Sequence, residues 1–340
     1  MCRQADRLQS IASKLADSKV CVMKRILNLL PLVLLISCAK SEFATTPAPV
    51  NTKIISTHIS PTPTAVLAAT SPPTPTPEPS CDPFSADFCI TDGHFSLQRP
   101  IQPPANDRID PIYGYGSTAN GTRDPHHGVE FSNPNGTPVH AAAEGTVIFA
   151  GPDQKATYAP WGDFYGNLVV IEHSDDLFTL YAHLSRIDVR VEQKVLAGAK
   201  IGEVGRTGGA IGSHLHFEVR RGDVQDYFAT QNPELWLIPA KDQTGNFFGT
   251  LIISVVDGAG NLLKDLNFTI GYYSDPAQGP NKLYYVTSYS PDLLLGEENA
   301  VLGELSAGQY RIAVETNGRI LERWVEVESG KLTQVAFVVK

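Results

Sequence analysis

Most of the chain beyond residue 140 is made of short segments with the alternation of a β-strand, and this pattern limits the fold more than any other feature. Four of these segments are rich in β-branched and aromatic residues and are separated by Gly, Asp and Ser: Thr146–Ala150, Leu168–Ile171, Phe178–His183 and His214–Arg220. Short strands between turn residues are typical of antiparallel sheets. We therefore predict a mostly β fold, in which the groove of a small antiparallel sheet carries the functional site.

A second series of strands follows a polar joint, KDQTG, at residues 241–245. The segments are GTLIISVVD, FTIGYY, KLYYVTSY, GQYRIAVET, RWVEVES and TQVAFVVK, with turn residues between them. This pattern predicts a small β-sandwich over residues 247–340, and LSAGQYRIAVE resembles a strand and turn of prealbumin-like modules. Because this region contains neither His nor Cys, we expect it to act as a spacer or binding module, and its partner stays open.

The segment His214-Leu215-His216 places two imidazoles on one predicted strand. Alternate side chains of a strand leave from the same face about 6.5 Å apart. His214 and His216 can therefore serve one site, for example as one metal ligand and one acid or base. Two histidines on one strand face can also be satisfied polar groups, so the pair needs partners elsewhere before it indicates a function.

The best partner stretch is DPHHGVEF, residues 124–131, which offers His126 and Glu130 four positions apart. On a straight strand these two would lie about 13 Å apart, so ligands of one metal require a bend, which Gly128 permits. Two nitrogens and one carboxylate oxygen leave a fourth tetrahedral position for water, as in catalytic zinc sites. His127 should point away from His126 and is not expected in the site.

Three signatures in order now carry a family resemblance. HHGVE, then Tyr181-Ala182-His183-Leu184, then GSHLHFEVR resemble those of the lysostaphin/LytM-type zinc metallopeptidases, which cut peptide bonds in bacterial peptidoglycan. The resemblance extends over roughly residues 108–222 and implies a lysostaphin-type antiparallel β-sheet peptidase domain at 108–240.

Carried over residue by residue, the resemblance implies Zn²⁺ held by His126, Glu130 and His216, with His183 and His214 as the catalytic pair. One departure stands out, because the family usually has Asp where this chain has Glu130. Both carboxylates are zinc ligands. The alternative function is a peptidoglycan-binding or regulatory protein that keeps the fold without activity.

The N-terminal residues 1–37 have the pattern of a leader with a lipoprotein signal peptide. Lys24 and Arg25 precede an apolar run at residues 26–36, and Cys38 follows. The run is too short to span a bilayer as a helix but suits a signal peptide. LISC at residues 35–38 resembles a lipobox, which implies lipidation at Cys38 and an exported, membrane-anchored lipoprotein facing the cell wall or periplasm. An ordinary signal or a buried helix with an incidental cysteine is the alternative.

Residues 38–80 are rich in Pro, Thr and Ser, a composition that favours polyproline II and predicts a disordered, semi-rigid tether. At about 3.1 Å per residue its reach is roughly 130 Å. A lead-in at residues 81–107 contains Cys81 and Cys89. An isolated cysteine pair in an exported chain predicts a disulfide, whereas two thiols for zinc would lack further ligands nearby.

The charge of the chain excludes one class of partner. Residues 38–340 hold 21 basic and 34 acidic side chains, a net charge of −13. Such a surface argues against binding nucleic acid and against electrostatic adsorption to anionic lipid heads. The partners that the two resemblances imply are a peptide substrate in peptidoglycan and a membrane reached through the lipid anchor.

Overall fold

The computed structural model describes residues 81–119, 121–294 and 296–340. The predicted leader and tether, with Cys38, lie outside the described residues. The elements in chain order are β1 (Cys89–Thr91), β2 (Val129–Ser132), β3 (Pro138–His140), β4 (Gly145–Pro152), β5 (Asn167–Glu172), β6 (Leu177–Ala182), β7 (Arg186–Ile187), β8 (Lys194–Val195), β9 (Lys200–Glu203), β10 (His214–Arg221), β11 (Thr230–Gln231), a 3-10 helix (Pro233–Leu235), β12 (Gly249–Asp257), β13 (Asn267–Tyr273), β14 (Lys282–Thr287), a second 3-10 helix (Pro291–Leu293), β15 (Ala300–Leu305), β16 (Gly308–Thr316), β17 (Arg319–Val327) and β18 (Leu332–Val339).

The fold-class prediction is confirmed, because strands dominate and no α-helix occurs in the described ranges. A search of the same ranges finds no helix that is both long and apolar enough to cross a membrane.

Residues 108–240, predicted from the sequence as a peptidase domain and called the peptidase region below, are built on a seven-stranded antiparallel sheet with the order β11-β10-β6-β5-β4-β8, and β2 is its seventh strand. Strand β2 pairs with the first half of β10, on the edge opposite β6. Strands β3, β9 and β7 form a small second sheet. The four segments predicted from the sequence correspond to β4, β5, β6 and β10, which form the middle of the large sheet.

Both faces of this sheet are covered, which explains why β6 is buried at all six positions. One face packs on the main hydrophobic cluster, with members such as Val169, Tyr181 and Phe217. The other face packs beneath the loop after β4, in a smaller cluster that includes Tyr165 and Leu180. A doubly covered sheet gives little freedom to its strands, so it is a rigid base for a site.

The C-terminal region is a sandwich of two four-stranded sheets, with the orders β1-β18-β12-β15 and β14-β13-β16-β17. Its core is apolar and comes from alternate positions of these strands, such as Ile253, Phe268, Ile312 and Phe337. Strand β15 was not predicted, because it is short and interrupted by Gly303. The structure also adds β1 from the lead-in, which pairs antiparallel with β18.

The lead-in is closed by a local disulfide. It joins Cys81 and Cys89 and closes the loop before β1. The sandwich and the peptidase region share the main hydrophobic cluster, to which the sandwich contributes Tyr289, Leu293, Val301 and Leu332. The sandwich is therefore packed against the peptidase region and not merely linked to it by the polar joint.

Candidate metal centre

Three donor atoms meet where β2 and β10 pair. The antiparallel register places Glu130 directly opposite His216, and His126 lies just before β2. His126 Nε2 is 3.0 Å from Glu130 Oε1 and 3.1 Å from His216 Nδ1, while His216 Nδ1 is 3.2 Å from Glu130 Oε1. Among the described residues, these three side chains form the one group of His, Cys, Asp and Glu with metal-binding geometry.

Gly128 lies between the two ligands that the first motif supplies. A Cβ at this position would be 2.4 Å from the carbonyl oxygen of Phe217 and 2.9 Å from the His216 ring. The glycine is therefore required by the close approach of β10. Its position agrees with the predicted bend, because β2 begins only at Val129 and His126 is free to turn back toward Glu130.

His214 and His183 lie beside the three donors. His214 Nε2 is 2.9 Å from Glu130 Oε2, and the rings of His183 and His214 are 4.9 Å apart. The predicted strand Phe178–His183 differs from the structure at its last residue, because β6 ends at Ala182 and His183 has a φ of 62°. A left-handed residue after the strand therefore sets the direction of this imidazole, whose Nδ1 donates to the Thr207 carbonyl at 2.9 Å.

Sequence reasoning missed Glu218, which lies behind His216. Its Oε1 is 2.9 Å from His216 Nε2, and its Oε2 accepts from Arg220 Nε at 2.8 Å. The Tyr165 hydroxyl donates to the same carboxylate. All three residues around His216 are buried. The signal was present in HLHFEVR, since Glu218 and Arg220 continue the strand face that carries both histidines.

The charges at the centre follow from these contacts. Burial raises the pKa of Glu218, but Arg220 and His216 outweigh burial and lower it to about 2. The carboxylate is therefore ionised and accepts the N–H of His216 Nε2, so that His216 presents Nδ1 to the donor group. Burial, together with the neighbouring His216 and His214, lowers the pKa of His183 to about 3, so His183 is neutral.

The residues fit a zinc ion. Two imidazole nitrogens and one carboxylate oxygen are the donor set of a catalytic zinc site with one open position. A metal-binding histidine usually donates its second N–H to a carboxylate, which fixes its tautomer, and Glu218 supplies this carboxylate for His216. Glu130 reaches the other two donors in spite of its extra methylene.

A groove of about 510 Å³ opens above the donors. Its walls carry the half-exposed Trp161 as well as Phe164, Tyr113 and Ile211. Trp161 can therefore contact a bound chain, whereas Tyr165 from the same loop is fully buried below the centre. His127 lies outside the donor group and stacks on Tyr227 with the ring centroids 3.8 Å apart.

The comparison with family models identifies this part of the chain. Residues 124–227 match the model of peptidase family M23, and they form an M23 domain.

Two curated relatives match the same region. The peptidoglycan DD-endopeptidase ShyA of Vibrio cholerae is 38% identical over 119 residues, which cover 35% of this chain and 26% of the relative. The murein hydrolase activator NlpD of Salmonella dublin is 35% identical over 109 residues, which cover 32% of this chain and 26% of the relative. The chain thus spans about a quarter of the length of each relative.

Among solved structures, the catalytic domain of the antimicrobial peptidase lysostaphin from Staphylococcus simulans is 32% identical. The match covers 37% of this chain and 88% of that chain, with a TM-score of 0.31.

Proposed function

We propose that the M23 domain of this chain is a zinc-dependent endopeptidase that hydrolyses peptide bonds in peptidoglycan and acts in cell-wall remodelling. The observation that carries the proposal is the meeting of His126, Glu130 and His216 at about 3 Å from one another. The substrate class comes from the M23 match and from the similarity to ShyA, a peptidoglycan DD-endopeptidase. The groove with its aromatic wall is open enough to admit an extended peptide.

In this proposal the three ligands hold the ion and the two remaining histidines handle the proton. Bound zinc would polarise the scissile carbonyl and lower the pKa of its water toward about 7. His214 Nε2 faces the centre and takes up the proton of the attacking water. His183, neutral and fixed by Thr207 through its Nδ1–H, keeps Nε2 unprotonated and is a second proton acceptor beside His214.

Substitutions of Glu130 test the ligand assignment. Glu130→Gln should weaken zinc binding strongly, because a neutral amide replaces the anionic oxygen that offsets the charge of the metal. Glu130→Asp should be milder, since it keeps the carboxylate and restores the residue that the family usually has. The measurements are zinc content and cleavage of purified peptidoglycan. If Glu130→Gln holds zinc as well as the wild type does, the ligand assignment is wrong.

Substitution of His214 tests the catalytic assignment. His214→Ala should keep zinc and lower kcat by about 10²- to 10⁴-fold, the usual contribution of a general acid or base. The matched control is His173→Ala, because His173 lies outside the donor group, where its ring bonds to the Glu144 carbonyl and Thr179. Equal losses in both variants would contradict a catalytic role for His214.

The alternative is an inactive regulatory protein with the same fold, and the relative named as an activator is the finding that favours it. The same assays decide between the two functions. A wild-type protein that binds peptidoglycan but holds no zinc and cuts nothing would be the regulator. Hydrolysis that disappears when zinc is removed by a chelator and returns with added zinc would be the peptidase.

We further propose that the protein is exported and anchored to the membrane through Cys38, on the basis of the lipobox-like LISC. The anchor would let the M23 domain reach the cell wall from the membrane surface. Cys38→Ala should move the protein out of the membrane fraction and abolish labelling with a fatty-acid probe. A wild-type protein without label would refute the anchor.

A further inference from the structure

We infer that the C-terminal β-sandwich positions two of the zinc ligands, His126 and Glu130, by holding the segment 108–117. This segment, the support segment, lies between the sandwich and the ligand-bearing residues 126–130. The inference rests on the proposed function for what the centre does. It assigns the sandwich a positioning role in the metal centre in addition to any role as a spacer or binding module.

The first link runs from Glu304 on β15 to Glu130. The Glu304 carboxylate pairs with Arg99 at 2.6 Å and with Arg108 at 2.5 Å, and it accepts the Ile109 N–H at 3.1 Å. The next residue, Asp110, donates its N–H to the Glu130 carbonyl at 2.8 Å. Glu304 of the sandwich therefore holds Ile109, and the adjacent residue Asp110 bonds the backbone of the ligand Glu130.

Strand β2 explains why this link is needed. It has only four residues, and β10 is its one strand partner in the described chain. The bond from Asp110 to the Glu130 carbonyl supports β2 at a position where no other strand does. Since Arg99 and the Glu304 side chain are both largely buried, the ion pair at the sandwich end of this link is shielded from water and differs from a surface ion pair.

The second link runs from Tyr289 to His126. The Tyr289 ring packs on Gly116 so closely that a Cβ there would be 2.5 Å from Tyr289 Cδ1, and it meets the Tyr115 ring edge to face at 5.1 Å. Ser290 N–H donates to the Gly116 carbonyl at 3.1 Å, and Gly116 N–H donates to the His126 carbonyl at 2.8 Å. Gly116 is therefore the single residue between the sandwich and the ligand His126.

The peptidase region orients Tyr289 from the other side. Asn232 Nδ2 donates to the Tyr289 hydroxyl at 2.8 Å, and both side chains are buried. Near the middle of the support segment, Tyr113 stacks on the His126 imidazole with ring centroids 4.1 Å apart. The segment thus fixes both the backbone and the ring plane of His126.

These contacts have a consequence for metal binding. Residues that orient metal ligands typically change metal affinity by about 10- to 100-fold when they are replaced. His216 depends on Glu218 within the sheet, whereas His126 and Glu130 depend on the support segment. A loosened sandwich contact should therefore weaken zinc binding without removing a ligand.

The test compares Tyr289→Ala and Glu304→Ala with two control variants. Tyr289→Phe keeps the ring on Gly116 and loses only the bond from Asn232. Val314→Ala creates a cavity in the sandwich core, so it destabilises the sandwich without removing a side chain that contacts the support segment. Hydrogen–deuterium exchange of the zinc-free protein reports on the amides of Asp110, Gly116 and His126, and chelator competition gives the zinc affinity.

The expected result is faster exchange of these amides and an about 10- to 100-fold weaker zinc affinity in Tyr289→Ala and Glu304→Ala. Tyr289→Phe should stay close to wild type, and Val314→Ala should lower the melting temperature without changing zinc affinity. Unchanged exchange in both alanine variants would overturn the inference, as would an equal loss of zinc affinity in Val314→Ala. If the wild type binds no zinc, the proposed function fails, and the exchange measurement alone still decides whether the sandwich holds the segment.

Discussion

Two glutamates in this chain have opposite charge behaviour: Glu218 is fully buried at the metal centre, and Glu234 is partly buried at the contact with the sandwich. Glu218 is bonded to His216 and Arg220, and the charge of Arg220 together with the hydrogen bond from His216 outweighs its burial and holds its pKa near 2. Glu234 accepts one backbone N–H, from Gly303 at 2.6 Å. Burial and the nearby charge of Glu304 raise its pKa to about 7.

The difference shows that burial alone does not decide whether a carboxyl group is charged. Burial favours the neutral acid at both positions, and the partners either overcome this preference or leave it in place. At the metal centre the partners keep a permanent negative charge behind His216. At the contact with the sandwich, they leave a carboxyl group that changes its charge close to neutral pH.

The largest effect is expected when Glu218 loses its negative charge, on which Arg220 and His216 both depend. Glu218→Gln leaves Arg220 buried without a counter-ion, which typically costs about 3–5 kcal/mol of stability. It should also weaken zinc binding by about 10- to 100-fold, because the amide holds His216 less firmly than the carboxylate does. Thermal unfolding and chelator competition measure the two effects.

The matched control for this prediction is Glu172→Gln, at the exposed end of strand β5 in the same sheet. It removes the same charge from the same sheet and should change neither quantity. If both variants behaved alike, the special role of the buried contacts would be refuted.

A smaller effect is expected from Glu234, and it depends on pH. The pKa of a glutamate in an unfolded chain is about 4.3, so the folded protein binds the proton more tightly. The resulting stability is complete below that value and is lost as the pH rises through about 7. Stability should therefore fall by up to about 3 kcal/mol between about pH 5 and about pH 8.

Glu234→Gln should remove most of this dependence, because the amide stays neutral and can still accept the Gly303 N–H. Urea unfolding of both proteins at several pH values measures it. A wild-type stability that is flat or rises over this range would contradict the raised pKa of Glu234.

The sequence predicted the parts of the site that depend on local geometry. Strand alternation in HLHFEVR placed His214 and His216 on one face, and the spacing of His126 and Glu130 around Gly128 implied a bend. The resemblance connected these two stretches, and the structure brings all four residues together with His183. The donor arrangement could thus be predicted from the sequence, because each motif is short and the order of the motifs carried the family resemblance.

The remaining features depend on contacts between distant residues, which no local pattern encodes. Tyr165 reaches Glu218 across 53 positions, and Glu304 reaches Ile109 across 195. The direction of His183 depends on a left-handed φ that an alternation rule does not include. Strand β15 pairs along the edge of β12, but its own sequence, AVLGEL, is interrupted by Gly303, which weakens the strand pattern.

The pairing of β1 with β18 has a mechanical consequence. A pull on the chain from the N-terminal side of Cys81 would pass through the disulfide to Cys89, so the residues between the two cysteines would not be drawn out. The load would then act along the β1–β18 ladder, from Cys89 opposite Gln334 to Thr91 opposite Leu332. Because the hydrogen bonds of an antiparallel ladder lie across the strands, they would share in shear the part of this load that is directed along β1.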